Sequence, residues 1–259
     1  MTSPRFYCPV PMATGTLVEL PENAARHACR VLRLREGDGL VLFDSTGGEY
    51  VARIASVNRD RVSADVLEWR DAECESPIRL TLVQALQTGE KMDMTVQKAV
   101  ELGVQRIVPV ASRRSVLKLQ GERAERRVEH WQGVATAACE QCGRNRLPEV
   151  TAIMPLERWL ERLPQDAAPN GERVLRLMLV PGAELTLDQL PRPQPGSEVE
   201  LLIGAEGGLA PEEVARAKEA GYLGLRLGPR ILRTETAGLA ALAAIQCLWG
   251  DFGGDSGKG

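Results

Sequence analysis

The sequence predicts an α/β domain with a largely parallel sheet, preceded by a small β-barrel. Over the first seventy residues, short stretches alternate apolar and polar side chains between glycine- and aspartate-containing turns, a pattern typical of small barrels. Residues 70–77 are polar and end in proline, which indicates a linker. Beyond them, apolar strand-like runs alternate with segments of helical periodicity, which favours a parallel sheet with crossover helices.

The predicted barrel contains at least three strands and one helix. Residues 39–44 form a short apolar run before a Gly-Gly turn, and residues 49–54 and 61–67 alternate as half-buried strands do. Pro21 opens a segment that extends to about Leu34 with arginines at three-residue spacing. We therefore expect one short helix between the first strands of the barrel.

The predicted α/β part follows the linker. Met92, Val96 and Val100 recur at helical spacing and mark the buried face of its first helix. Strands are predicted at 78–85, 106–110, 175–180, 198–203 and 223–227, and helices at 92–103, 122–142, 155–163, 211–220 and 236–248. The glycine-rich residues 251–259 are predicted to be a disordered tail.

Composition excludes several classes of protein. The chain has 259 residues, enough to bury a core without disulfides or metals. The longest uncharged apolar run, Ala237 to Trp249, is shorter than the about 20 residues that a membrane-spanning helix needs. The first thirty residues lack the apolar core of a signal peptide, so a cytoplasmic location is expected. The net charge of −3 excludes a globally basic nucleic-acid-coating protein but not a local basic surface.

Cysteine spacing does not predict a metal site. Cys139 and Cys142 form a single C-x-x-C pair, and the only histidines are His27 and His130. A structural zinc site needs a second pair of ligands at suitable spacing. We expect free thiols on a packed helix and no metal.

Three glycine-containing turns follow predicted strands, at residues 179–182, 204–208 and 228–236. Ligands of open α/β sheets gather at the carboxyl ends of the strands, and glycine lets the backbone approach a ligand closely. Arginine and glutamate accompany these turns, which together predict a cofactor pocket. The turns match neither the dinucleotide fingerprint nor the P-loop, so NAD chemistry and nucleotide hydrolysis are disfavoured.

The second and third of these turns, within residues 202–208 and 227–237, resemble the two signature loops of the ribosomal RNA small subunit methyltransferase E family, a SPOUT methyltransferase family. Two departures stand out: Ala205 replaces a usual proline, and Val180 replaces a frequent histidine. The resemblance covers about residues 5–250, and its motifs occur in the same order as in the family. It is carried by residues 202–208 and 227–237, by Arg5-Phe6-Tyr7, by His27 with residues 30–33, and by residues 92–103 and 139–148.

The resemblance implies a fold and an activity. Residues 1–72 would form a PUA-like β-barrel that binds RNA, and residues 78–250 a SPOUT α/β-knot domain with a deep trefoil knot. The implied enzyme is a homodimer that uses S-adenosylmethionine to methylate N3 of a specific uridine in 16S rRNA of the small ribosomal subunit. No membrane partner is implied.

The same resemblance suggests roles for individual residues. Arg233 would stabilise negative charge on the uracil. It is not a candidate base, because a guanidinium does not lose its proton in proteins. Glu206 and Glu235 are candidate proton acceptors, although ion pairs with Arg230 or Arg233 that hold the loops together are an equal alternative. Cofactor contacts are expected from Leu202, Ile203, Gly204, Gly207, Leu227, Gly228, Ile231, Leu232 and Arg233. RNA contacts are expected from Arg5, Arg30, Arg33, Arg113, Arg114 and Arg144.

Two other functions stay open. The first is a non-catalytic RNA-binding module, which the intact glycine turns and the Arg-Thr-Glu run oppose. The second is a SPOUT enzyme that acts on tRNA or on a ribose 2′-hydroxyl, which the amino-terminal motif opposes.

Overall fold

The computed structural model describes residues 3–59, 61–163 and 174–253. The chain divides into two compact units. Unit 1 comprises Met1–Glu75 with Thr136–Leu147, and unit 2 comprises Ser76–Ala135 with Pro148–Gly259. Most of the predicted disordered tail, from residue 254 onward, lies outside the described residues.

Unit 1 contains a five-stranded mixed sheet in the order β1-β3-β4-β5-β2. Strands β1 and β3 pair in parallel, and the other neighbouring strands of this sheet pair antiparallel. The predicted helix is present but short, and a π-helical turn over His27–Val31 continues it. The elements are β1 (Arg5–Tyr7), β2 (Leu17–Glu19), α1 (Glu22–Arg26), β3 (Gly39–Phe43), β4 (Glu49–Asn58) and β5 (Arg61–Arg70).

The core of unit 1 explains the alternation in its sequence. Along the strands, every second side chain points to one face, and that face is buried against α1. The largest buried side chains of this core include Phe6, Leu40, Leu42 and Ile54. The three predicted strands are confirmed, and β4 and β5 extend further than predicted.

Unit 2 contains a parallel sheet in the order β12-β10-β11-β6-β7-β8, with β9 also paired to β7. All strand pairs of this sheet within the described residues are parallel. Its strands are β6 (Arg79–Ala85), β7 (Val104–Ala111), β8 (Glu149–Val150), β9 (Met154–Pro155), β10 (Leu175–Leu179), β11 (Glu198–Ile203) and β12 (Leu223–Leu225). Its helices are α2 (Lys91–Glu101), α3 (Glu122–Cys142, shared with unit 1), α4 (Leu156–Glu161), α5 (Pro211–Glu219) and α6 (Thr234–Leu248).

The apolar runs of β6 and β11 arise because both faces of these strands are covered. Six of the seven residues of β6 and five of the six of β11 are buried, as expected for central strands of a parallel sheet. All five predicted strands and five predicted helices of this unit are confirmed. Helix α6 begins two residues earlier than predicted, because Arg233 has extended backbone and occupies the N-cap.

Neither a metal cluster nor a membrane span is found within the described parts of the chain. No group of three His, Cys, Asp or Glu side chains there is placed to hold a metal ion, and no described helix is long and apolar enough to cross a bilayer.

Cys139 lies buried on α3, and burial raises the pKa of its thiol to about 12. This thiol is therefore a packing group at neutral pH.

A buried carboxyl group belongs to a central strand of the unit 2 sheet. Glu200, on β11, accepts hydrogen bonds from the Tyr222 hydroxyl and, at 3.4 Å, from the Trp159 indole nitrogen. Burial raises the pKa of Glu200 to about 7, and the Arg176 guanidinium opposes part of that rise. The folded protein therefore holds a proton on Glu200 at pH values where an exposed glutamate is ionised.

This shift predicts a pH dependence of stability. Between about pH 4.5 and pH 7, the folded state binds more protons than the unfolded state at Glu200, so the free energy of unfolding falls as the pH rises. Glu200→Gln is expected to remove this part of the dependence. Urea denaturation at pH 5 and pH 8 measures it, and an equal loss of stability in variant and wild type would contradict the assignment.

Candidate active site

A cavity of about 600 Å³ lies at the carboxyl ends of three adjacent strands, β10, β11 and β12. Residues 179–182, 203–208 and 225–234 line it, together with Ala237. These are the three turns that the sequence analysis singled out. Carboxyl ends of parallel strands meet at one edge of a sheet, which is why turns distant in sequence share a single cavity.

Close backbone packing shapes the turn after β11. A Cβ atom on Gly204 would lie 2.8 Å from the carbonyl carbon of Gly208 and 2.8 Å from the nitrogen of Leu209. Gly208 has a φ of +71°, and its N–H donates to the Ala205 carbonyl at 2.8 Å. Only glycine fits at position 204 without moving the backbone, so the shape of this tight turn, which lines the cavity, depends on that residue.

A buried polar network joins this turn to α6 and β6. The Thr234 hydroxyl donates to the Gly204 carbonyl at 2.5 Å, and it accepts from the amides of Gln84 at 3.3 Å and Gln87 at 3.4 Å. The Thr95 hydroxyl donates to the Gln87 carbonyl oxygen at 2.9 Å. All four side-chain partners are buried, so the network holds two cavity loops at fixed positions against the helices.

The carboxylates of the predicted site share one cation. Glu206 accepts hydrogen bonds from the Thr88 backbone N–H at 3.2 Å and from the Thr88 hydroxyl at 3.0 Å. The ammonium of Lys91 lies 3.4 Å from Glu206 Oε1 and 3.9 Å from Glu235 Oε2. Burial raises the pKa of Glu206, but the hydrogen bonds from Thr88 and Lys91 outweigh it and leave that pKa below its ordinary value. The expected partners Arg230 and Arg233 are thus replaced by Lys91.

The segment after β7 holds the outer side of the glycine turn. The Arg114 guanidinium donates to the Gly207 carbonyl at 2.8 Å. The buried Glu213 carboxylate accepts from the backbone N–H of Arg113 at 2.7 Å and of Ala210 at 2.8 Å. Glu213 therefore joins this segment to the first turn of α5, and Arg114 lies beside the cavity.

The predicted cofactor residues come together with one difference. Eight of the nine line the cavity, and Ile231 is 87% exposed on its rim. Leu202 is fully buried and packs in the core between the sheet and its helices. Arg233 is exposed and lines the cavity beside Thr234. Glu206 also lines it, whereas the Glu235 side chain is 13% exposed and lies against Lys91.

The predicted RNA-binding arginines fall into two groups. Arg5 forms an ion pair with Glu49 and donates to Asn145, while Arg144 pairs with Glu75 at 2.6 Å and is 3% exposed. These two stabilise unit 1 internally. Arg30 and Arg33 in unit 1, and Arg113 and Arg114 in unit 2, are exposed. RNA contact stays a prediction for all six.

The sequence analysis did not identify Thr88, Lys91, Gln84, Gln87 or Thr234 as site residues. Thr88 lies in the polar segment between β6 and α2, and Lys91 is the first residue of α2. Because β6 neighbours β11 in the sheet, this segment reaches the same edge as the glycine turns. That neighbour relation is the signal that could have found them, and it depends on strand order.

Family models match both parts of the chain. A model described as an RNA methyltransferase domain matches residues 74–246, and one described as an RNA methyltransferase PUA domain matches residues 20–67. The mixed sheet of unit 1 and the α/β architecture of unit 2 agree with these matches. The fold is therefore α/β with a PUA-like amino-terminal domain.

Relatives and solved structures agree with the family models. Ribosomal RNA small subunit methyltransferase E of Buchnera aphidicola subsp. Schizaphis graminum is 31% identical over 96% of this chain and 98% of its own, and that of Bacillus subtilis is 34% identical over 85% of each. The Neisseria gonorrhoeae enzyme of the same name, bound to S-adenosylmethionine, superposes with a TM-score of 0.89 at 41% identity over 97% of this chain and 100% of that one. A methyltransferase from Legionella pneumophila in complex with the same cofactor gives 0.89 at 35% identity over 97% and 100%. The chain belongs to the ribosomal RNA small subunit methyltransferase E family.

Proposed function

We propose that this protein transfers a methyl group from S-adenosylmethionine to N3 of a specific uridine in 16S rRNA of the small ribosomal subunit. The observation that carries the proposal is the cavity formed by three glycine-containing turns, with Glu206 and Arg233 in its lining. Two solved structures with a TM-score of 0.89 to this chain contain S-adenosylmethionine. The rRNA substrate is the one named for the relatives.

The chemistry of the cavity fits this cofactor. Gly204 and Gly228 line the cavity and carry no side chain, so the backbone can approach a ligand closely there. Leu227, Ile231 and Leu232 supply apolar walls of the kind that adenine prefers. The other proposed contacts are Ile203, Gly207 and Arg233, whereas Leu202 would support the turn from the core. S-adenosylmethionine, when bound, supplies a methyl group attached to a positively charged sulfur.

The side chains of the cavity supply what methylation of uracil N3 needs. N3 carries a weakly acidic proton, and a carboxylate such as Glu206 can accept it. Once the proton leaves, negative charge spreads onto the two carbonyl oxygens of the uracil, and the Arg233 guanidinium stabilises that charge. Both groups line the cavity, and the buried Thr234 network fixes the loops that carry them.

RNA binding is proposed for the exposed arginines. Arg30 and Arg33 of unit 1, and Arg113 and Arg114 of unit 2, would contact phosphates. Such contacts position RNA without reading its sequence. The ion pairs of Arg5 and Arg144 favour a structural role for these two residues.

Neutralising both Arg30 and Arg33 to alanine is expected to raise the KM for RNA several-fold while kcat changes little. Each lost phosphate contact also lowers the salt dependence of binding. Methylation rates at several RNA and salt concentrations measure both effects. An unchanged KM together with an unchanged salt dependence would contradict RNA contact at these positions.

The proposed organisation follows the family. Residues 1–72 serve as the RNA-binding domain and residues 78–250 as the catalytic domain, whose carboxyl-terminal chain forms a trefoil knot. The protein works as a homodimer in the cytoplasm. Light scattering of the purified protein tests the dimer, since a monomer at micromolar concentration would contradict it.

Identification of the methylated nucleoside tests the proposed function. The protein is incubated with labelled S-adenosylmethionine and with under-methylated small subunits, free 16S rRNA or tRNA, and the RNA is digested to nucleosides. Labelled 3-methyluridine from small-subunit RNA is the expected product. A 2′-O-methylated nucleoside or labelled tRNA would favour another SPOUT activity, and the absence of cofactor binding in calorimetry would favour a non-catalytic RNA-binding module.

A further inference from the structure

One lysine connects the two candidate carboxylates of the site. Lys91 is the first residue of α2, Glu206 lies in the turn after β11, and Glu235 lies in the first turn of α6. The Lys91 ammonium is 3.4 Å from Glu206 Oε1 and 3.9 Å from Glu235 Oε2. Its side chain is one-third exposed, so this cation is partly withdrawn from solvent between two anions.

The two carboxylates differ in their access to the cavity. Among the described residues, Glu206 lines the cavity and Glu235 does not. Glu235 Oε2 is enclosed and has no hydrogen-bond partner within the described part of the chain. This oxygen lies 3.9 Å from the Lys91 ammonium. An enclosed oxygen that faces a lysine is poorly placed to take a proton from a ligand in the cavity.

We propose that Lys91 is a positioning residue that keeps Glu206 ready to accept the N3 proton of uridine, and that Glu235 is the counter-ion of Lys91. The proposal rests on the methyltransferase function proposed above. It assigns proton acceptance to Glu206 alone. It gives Glu235 a task that requires no contact with substrate.

The proton balance explains why two carboxylates serve one lysine. The N3–H bond of uracil breaks, an O–H bond forms on Glu206, and the electron pair stays on N3 for the methyl transfer. Glu206 becomes neutral in this step and its attraction to Lys91 weakens. Glu235 remains beside the ammonium, so Lys91 keeps an anionic partner throughout and need not reorganise.

Several groups around Glu206 set its proton affinity. Lys91 comes from α2 and Glu235 from α6, while Thr88 donates two hydrogen bonds from the segment after β6. Arg114, from the segment after β7, binds the neighbouring Gly207 carbonyl. Three of these four neighbours favour the ionised carboxylate, in agreement with the lowered pKa of Glu206.

The proton affinity of Glu206 can be measured without cofactor or RNA. Carboxyl-carbon NMR of the full-length protein, with the Glu206 signal identified by its loss in Glu206→Gln, gives its titration midpoint. Lys91→Met is expected to raise that midpoint by about half a unit to one unit, because it removes a nearby positive charge. Lys91→Arg should restore most of the difference. Lys98→Met is the matched control, since Lys98 lies on the same helix and pairs with Glu101.

Methylation assays give the second readout. The acid limb of the pH profile should move upward in Lys91→Met by the same amount as the NMR midpoint, while the Kd for S-adenosylmethionine stays within about threefold. Glu235→Gln should retain at least about a tenth of wild-type kcat, whereas Glu206→Gln should not. Equal losses in Glu235→Gln and Glu206→Gln, or an unmoved midpoint in Lys91→Met, would overturn the proposal.

A wild-type protein that neither binds the cofactor nor methylates RNA would instead overturn the proposed function. The NMR midpoints would still decide whether Lys91 controls the proton affinity of Glu206.

Discussion

Replacing Glu206 with glutamine is expected to lower kcat for methyl transfer by about 10²- to 10⁴-fold, the usual contribution of a general base. The amide can still accept the hydrogen bonds that Thr88 donates to Glu206, so the turn should keep its shape. What the variant loses is a group able to take the N3 proton. Single-turnover methylation of under-methylated small subunits measures the loss.

Calorimetry with S-adenosylmethionine separates loss of chemistry from loss of binding. The Kd should stay within about threefold of wild type, because Glu206 is not among the proposed cofactor contacts. Glu219→Gln provides the matched control, since Glu219 is exposed at the end of α5 and makes the same change of charge. Full activity in Glu206→Gln would show that solvent or another group takes the proton.

Much of the fold was predictable because burial determines the sequence pattern. Strands β6 and β11 are covered on both faces and therefore appear as apolar runs. Strands β8 and β9 have two residues each, and such a length is too short to show a period. The three-residue strands β1 and β2 were missed for the same reason.

The glycine turns were predictable because they follow recognisable strands, and the carboxyl ends of such strands form ligand sites. Lys91 was not, since its partners Glu206 and Glu235 lie more than a hundred residues away. No local pattern reports a contact across that separation. Thr234 and Gln84, which are 150 residues apart, illustrate the same limit.

Charge alone also failed to separate exposed arginines from buried ones. Arg144 lies within a motif that resembles the family, and its charge suggested RNA contact, but its guanidinium pairs with Glu75 and is buried. A sequence shows the charge of a side chain and not the depth at which it is held. For this reason, the structural role of Arg5 and Arg144 became visible only through their ion pairs with Glu49 and Glu75.

Replacing Gly204 with alanine is expected to weaken S-adenosylmethionine binding by about 5- to 150-fold, the equivalent of an overpacking penalty of about 1–3 kcal/mol. The new Cβ would lie 2.8 Å from two backbone atoms, in Gly208 and Leu209. Backbone cannot rotate away as a side chain can, so the whole turn must shift. This turn forms part of the cavity lining, and calorimetry measures the consequence.

A graded series of glycine variants tests whether shape is the cause. In Gly207→Ala the added Cβ would meet the Arg114 side chain at 3.3 Å, and in Gly224→Ala it would meet Ala183 Cβ at 3.8 Å. A side chain can yield by a few tenths of an ångström, and 3.8 Å is ordinary van der Waals contact. Cofactor affinity should therefore fall most for Gly204, less for Gly207 and hardly at all for Gly224. Equal affinities across the series would mean that the turn after β11 does not hold the cofactor, because only a ligand seated against this backbone can sense the difference.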